Sequence, residues 1–437
     1  MMKPQSPINR LLALLSLLVL MLAFTACHDE PEEPILPQPD ATFSGTLPVL
    51  YINTEGGLPI VSQDEYLHAD WWIDNLGLEG YKSIGSREEP LGMLIKGRGN
   101  WSWRHYYKKP YRIKLDEKQK LLGMKKSRHF ILMAHADQDR NDFLTNTVGF
   151  ELSRRIGLAY TPAQEPVEVV LNGQYIGLYF VTEKIRVDKN RVNIEEQANG
   201  ETDPYAITGG WLLEFDNHIE ENQFFFREGN DDKIGVKYHS PDSLSMEQYS
   251  YLHQFILHLD DCIYQGDKNS TEWEKYIDMD TLACFYIVNE IMDNIESFRN
   301  SLFMHKHRGQ DTKLLFGPVW DFGTSYMRAQ NPATCFLYEK TERTYKAHWI
   351  EELKKYPRFQ QCIRDHWNDF YPAGLNGLEA FINRFVDKIE KAAEADAKCW
   401  PAAYQGWMLR ARINSTFKPM MQAKVRFLNE QWGEGAP

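Results

Sequence analysis

The chain reads as an α+β protein, a β-rich half followed by an α-rich half. Three observations lead there. Short runs of β-branched and aromatic residues, punctuated by Gly, Pro and Asn, dominate the stretch from Leu47 to about Phe226. From about Ser245 onward the apolar residues switch to helical spacing. Between two of the β-rich runs lies Asn172-Gly173, a dipeptide that supplies the positive φ angles of a tight hairpin turn.

In chain order, strands are predicted at 47–52, 94–96, 111–115, 130–133, 167–171, 175–182 and 210–215. The hairpin spans 167–182. A single helix interrupts this half at 142–156, with Phe143, Val148, Leu152 and Ile156 on one face and Gly157 as its stop. The second half predicts helices at 246–257, 273–277, 279–294, 347–370, 378–395 and 415–431. This body is long enough for one large bilobal domain or two closely joined ones, and a cleft between halves is a favoured ligand site.

The first residues predict a compartment. Lys3 and Arg10 precede an apolar run from Leu11 to Ala26, which is shorter than the roughly 18 to 20 apolar residues that span a bilayer. Residues 1–26 therefore read as a cleaved signal peptide. Cys27 at the cleavage point resembles a lipobox cysteine, which implies an acylated N-terminus held by membrane lipid. The stretch 27–44 is acidic and Pro-rich at its start and reads as a tether. An acidic cluster directly behind such a cysteine resembles the export signal of surface lipoproteins in Bacteroides-like bacteria. An outer-membrane location follows, on the cell surface or on the periplasmic face.

A formal net charge of −12 argues against general nucleic-acid binding. Besides Cys27, five cysteines stand at wide spacings with no Cys-x-x-Cys pair, and they read as buried apolar side chains.

The most informative run is residues 285–326. Glu296 and Asn300 follow the end of a predicted helix, and Asp321, within Pro318-Val319-Trp320-Asp321-Phe322-Gly323, is predicted to end a short strand. Trp320 and Phe322 predict a buried acid in need of a partner. Phosphoryl transfer needs a carboxylate that orients the acceptor hydroxyl and oxygen ligands that hold a divalent ion against the phosphates; this run carries both kinds. Upstream, Arg112 and Lys114 are two apart on a predicted strand, so they share a face while Ile113 packs inward. An exposed edge strand whose lysines discourage aggregation would look the same. Glu183 follows an apolar strand, where it either faces the cleft and pairs with a basic group or is a solvated strand end.

Several motifs occur in one order: Lys96-Gly97-Arg98-Gly99-Asn100-Trp101-Ser102; Lys108-Lys109-Pro110-Tyr111-Arg112-Ile113-Lys114-Leu115; Asp137 with Arg140-Asn141; Asn172-Gly173-x-Tyr175-x-Gly177-x-Tyr179 leading to Glu183; Gly209-Gly210-x-Leu212-Leu213-Glu214-x-Asp216; and Pro318-x-Trp320-Asp321-Phe322. Together, over roughly residues 46–430, they resemble the CotH spore-coat kinase family. The resemblance implies an atypical protein-kinase fold at 45–430, with a β-rich N-lobe at about 45–226 and a helical C-lobe at about 240–430. It implies ATP with Mg²⁺ or Mn²⁺ and transfer of phosphate to protein hydroxyls.

On the same resemblance, Asp321 and Asn300 are metal ligands and Glu296 is the catalytic carboxylate. Arg98, Lys109, Arg112 and Lys114 contact phosphate, with Glu183 as the partner of one of them. Two positions depart from the family pattern: Glu296 where the family usually has Asp, and Gly323 where it usually has Asp. They leave open a weak or inactive pseudokinase that acts as a surface protein for a protein or glycan ligand.

Overall fold

The computed structural model describes residues 36–135, 143–216, 223–226, 234–326, 332–339, 349–403 and 408–435. Cys27, the signal peptide, most of the tether, Asp137, Arg140 and Asn141 lie outside the described residues. The body is the unit Pro37–Pro437. Among the described residues no helix is long and apolar enough to cross a membrane.

The first half builds a closed barrel. Its strands are β1 (Val49–Thr54), β2 (Leu67–Asp74), β3 (Leu91–Gly97), β4 (Tyr111–Gln119), β5 (Ser127–Ala134), β6 (Gln164–Leu171) and β7 (Gln174–Glu183). They close in the order β1-β2-β3-β4-β5-β7-β6, with β1 parallel to β6 and the other pairs antiparallel. The period-2 rule explains the filling: Tyr111, Ile113 and Leu115 of β4 enter the core with Phe130, Leu132 and Val181, while the residues between them face outward. β2 is absent from the sequence expectation, yet Ala69, Trp71 and Ile73 alternate inward along it. The predicted hairpin is present, with Asn172 at φ 50 and Gly173 at φ 82 in its turn.

Helix α1 (Thr145–Ile156) begins three residues later than expected, because Phe143 adopts a left-handed φ of 56; Gly157, at φ 92, ends it. Strand β8 (Trp211–Asp216) is not part of the barrel. It lies in a second sheet, ordered β12-β11-β8-β10-β9, with β9 (Gln223–Phe226), β10 (Ile234–Ser240), β11 (Leu302–Lys306) and β12 (Leu314–Phe316). This sheet joins strands from both halves of the sequence, so the expected division between about 226 and 240 does not separate β from α.

The helices that follow are α2 (Met246–Tyr264), α3 (Met279–Ile291), α4 (Pro357–Phe370), α5 (Leu378–Cys399) and α6 (Lys418–Trp432). A Ser245–Gln248 capping box starts α2. Asp278 caps α3, which is buried along most of its length, as an all-round apolar helix must be. The single helix expected at 347–370 is a turn at Ile350–Leu353 and then α4, because Pro357 starts a new helix where its missing N–H costs nothing.

Helix α5 packs on β7, where Gly177 leaves room for Asp396. Asp396 accepts from the Leu178 N–H at 2.7 Å and from Lys108 Nζ at 2.6 Å. Part of the expected tether also lies on the body: Gln38 N–H donates to the Cys399 carbonyl at 2.9 Å and Ser44 N–H to Glu168 at 2.7 Å.

Candidate functional site

The Asp321 loop is built from two anchors and a projection. Trp320 and Phe322 are buried, and both meet Phe150 of α1, with ring centroids 6.0 and 6.2 Å away. A Cβ at Gly149 would overlap the Phe322 ring, so that glycine is the socket for it. The Phe322 N–H donates to Asn146 Oδ1 at 3.0 Å. Between the two anchors Asp321 takes a left-handed φ of 55, and its side chain is exposed. The expected buried acid at a strand end is therefore corrected. The strand ends at Phe316, and the left-handed turn throws the carboxylate outward while its aromatic neighbours sink. Such a backbone costs about 1–2 kcal/mol per residue, least for Asp, Asn and Gly. Asp321 Oδ1 accepts the Gly323 N–H at 3.2 Å.

Glu296 and Asn300 occupy one turn after α3, with the Glu296 carbonyl accepting the Asn300 N–H at 2.9 Å. That turn is stitched to the Asp321 loop by one amide. Asn294 Nδ2 donates to the Asp321 carbonyl and to Asn289 Oδ1, both at 3.1 Å, and Asn294 Oδ1 accepts from Thr324 Oγ1 at 2.8 Å. Behind it, Lys424 of α6 reaches the Glu290 carboxylate at 2.7 Å and that of Asp293 at 3.5 Å, with all three groups shut from solvent.

A cationic face lies on the outside of the barrel. Arg112 stands opposite Lys96 and Ile131, and Lys114 opposite Leu94 and His129, while Ile113 between them is in the core. Lys184 directly follows β7, one residue beyond the Phe130–Glu183 pair. Burial, then Arg112 and Arg186, push the Lys184 ammonium down to about 7, with Asp242 opposing. Burial, then Arg186, Lys184, Arg112 and Lys114, push His129 down to about 3.

Arg98 joins this face to the acidic loop. Burial lowers its pKa, the carboxylates of Asp321 and Glu214 raise it, and Arg112 lowers it again, so all four side chains share one field. Glu214 is itself buried and lies 2.6 Å from His239 Nε2. Arg112 Nε is buried with no hydrogen-bond partner among the described residues. An orphaned guanidinium donor on a cationic row suits an anionic ligand.

Two expected members do not join. Lys109 precedes β4 and donates to the Trp103 carbonyl at 2.6 Å, folded over that indole. Glu183 lies on the inner row of the barrel with Phe130 and Ile113, on the opposite face from Arg112. Its carboxylate accepts from Tyr160 at 3.2 Å and from the Ala163 N–H at 3.1 Å, and Arg191 is 4.0 Å away. Glu214, Asn294, Lys184 and Arg186 were not assigned roles from sequence. For the last two the signal was present, since Lys184-Ile185-Arg186 repeats the pattern of Arg112-Ile113-Lys114 and Ile185 is buried.

The body is thus mixed α+β, with a cationic row on the outer face of its barrel and an exposed aspartate at 321. The family model for the CotH kinase protein matches residues 95–418, a span that contains Arg98, Arg112, Glu296, Asn300 and Asp321. The chain belongs to the CotH kinase family. No curated protein matches it significantly.

Proposed function

We propose that this protein is an ATP-dependent phosphotransferase of the cell envelope, tethered to the outer membrane through acylated Cys27 and acting on protein hydroxyls. The observation that carries the reading is the outward row of Arg112 and Lys114 on β4, where Arg112 Nε is buried with no hydrogen-bond partner among the described residues; Arg98, whose pKa both Arg112 and Asp321 shift, extends it toward the acidic loop. In it, Arg98, Arg112 and Lys114 bind and orient the phosphates, using charge-assisted bonds that are roughly twice as strong as neutral ones. Asp321 and Asn300 hold Mg²⁺ or Mn²⁺, which neutralises charge on the phosphate oxygens. Glu296 orients the acceptor hydroxyl and takes its proton. The barrel side and the helical side are then the two lobes of a kinase-type arrangement.

The test is a thermal shift with ATP and Mn²⁺. Wild type is expected to gain stability only when both are present, and Asp321→Ala to lose that gain. A shift that survives in Asp321→Ala sinks the assignment. The second reading, a pseudokinase that binds a surface protein or glycan, is favoured by Glu296 and Gly323 at positions where the family usually carries Asp. Radiolabel transfer separates the two. Turnover that rises in Glu296→Asp marks a working site, because roughly 1 Å of misplacement costs about 10²-fold in rate. Nucleotide binding with no turnover in either form marks the pseudokinase.

A further inference from the structure

Helices α3 and α4 face each other with two reactive pairs. Asp280 and Cys284 are four apart on α3, and Cys362 and His366 are four apart on α4, so each pair shares one helix face. His366 Nε2 lies 3.1 Å from Asp280 Oδ1, and Cys362 Sγ lies 3.6 Å from the same oxygen. The ligand atoms of Asp280, Cys362 and His366 all fall within 4.8 Å of one another. A tetrahedral ion with a bond of about 2.3 Å to sulfur and about 2.0–2.1 Å to nitrogen or oxygen sets its ligand atoms roughly 3.3–3.6 Å apart. The two separations from Asp280 already stand near that spacing, and the third is within 4.8 Å.

Cys284 adds a separate observation. Its Sγ lies 3.6 Å from His366 Nδ1, on the other side of the ring from Asp280. A proton on Nδ1 shared with that sulfur leaves the Nε2 lone pair aimed at Asp280 and Cys362, as outer partners of metal-bound histidines do. Both sulfurs are buried, whereas the Asp280 side chain is 74% exposed and that of His366 28% exposed. The cluster therefore opens to solvent on one side.

We propose that Asp280, Cys362 and His366 bind one zinc-class ion, with Cys284 positioning His366 and a fourth coordination place open to solvent. Thiolate, imidazole and carboxylate together select zinc over magnesium or calcium, so this ion differs from the one assigned to Asp321. On binding, the Cys362 thiol passes its proton to solvent and the thiolate takes the metal. The ion ties the first turn of α3 to α4. The far end of α3 carries Asn289 and Glu290, which stand behind the Asp321 loop.

The experiment strips the full chain with chelator, then titrates it with Zn²⁺ against a chromogenic competitor and with Co²⁺ as an optical probe. One equivalent is expected to bind at micromolar concentration or tighter, with a thiolate-to-cobalt charge-transfer band. His366→Gln, at a partly exposed position that circular dichroism can check for folding, is expected to lose stoichiometric binding, as is Cys362→Ser. Cys284→Ala is expected to weaken binding by about 10-fold or more. Asp321→Ala is expected to leave the zinc titration unchanged. No zinc uptake by wild type, unchanged uptake by His366→Gln, or a cobalt spectrum without the thiolate band overturns the proposal. In that case the cluster is a hydrogen-bonded pair of thiols, with Cys362 donating to Asp280 and to the Met279 carbonyl, 3.7 Å away.

Discussion

The Arg112 guanidinium lowers the pKa of both Arg98 and Lys184, so one charge acts on both. Because Lys184 is pushed down to about 7, it is cationic below that pH and neutral above it. A bound polyphosphate favours the charged form, so affinity strengthens as pH falls through about 7 and weakens as pH rises. Calorimetric titration of ATP between about pH 6 and pH 8 is expected to show this slope in wild type and a flatter one in Lys184→Met. An equal slope in both proteins removes Lys184 from the site. At this scale the sequence showed which residues carry charge but not which way each points. Glu183 illustrates the reason: β7 is buried on both faces, so no polar alternation reveals its parity, and only the register with Phe130 places Glu183 inside the barrel.

Helix α1 and the turn after α3 hold Asp321 from two sides, one through Phe322 in the Gly149 socket and one through Asn294. Gly149→Ala fills the socket, and overpacking of this kind costs about 1–3 kcal/mol. Urea unfolding is expected to show that loss. The ATP and Mn²⁺ thermal shift should shrink with it, because Asp321 moves with its neighbour. A variant as stable as wild type with an intact shift means the ring is not what positions the aspartate. The helical spacing of Val148, Leu152 and Ile156 made α1 legible in advance, along with its Gly157 stop. Gly149 carries no signal of its own in the sequence, since the ring it accommodates lies 173 positions further along the chain. Strand β11 was missed for a related reason: it is short, and its partner β8 comes from the first half of the sequence; β12, which pairs with β11, ends at Phe316 and not at Asp321.

Across the molecule, the site rests on a buried ionic lock between α6 and the end of α3. Lys424 faces Glu290 and Asp293, all shut from solvent, and the Leu337 N–H donates to the second Glu290 oxygen at 2.9 Å. Removing the lysine leaves two buried carboxylates without their cation, a change that costs about 3–5 kcal/mol. Lys424→Met is expected to show that loss in denaturant midpoint. Glu290→Gln added to it should recover part of the stability, since one of the stranded charges is then gone. If the single variant is as stable as wild type, the lock contributes nothing to the fold. The lock also fixes the Asn289–Asn294 segment, so weaker nucleotide binding in Lys424→Met follows from the same cause.

Composition and spacing by themselves determined the α+β class, the Asn172-Gly173 hairpin and most helices, because these depend on local preferences and on periodicity within about a dozen residues. The ordered motifs likewise carried the family, which the match over residues 95–418 bears out. Tertiary structure alone decided the barrel closure, the sheet shared between the two halves, the outward turn of Asp321, the turning of Lys109 onto Trp103, and the inward place of Glu183 opposite Phe130. Most of these turn on a contact between residues far apart in the chain, and on which face of a strand or helix meets it. Local sequence does not encode that choice; packing and the pairing of buried charges do.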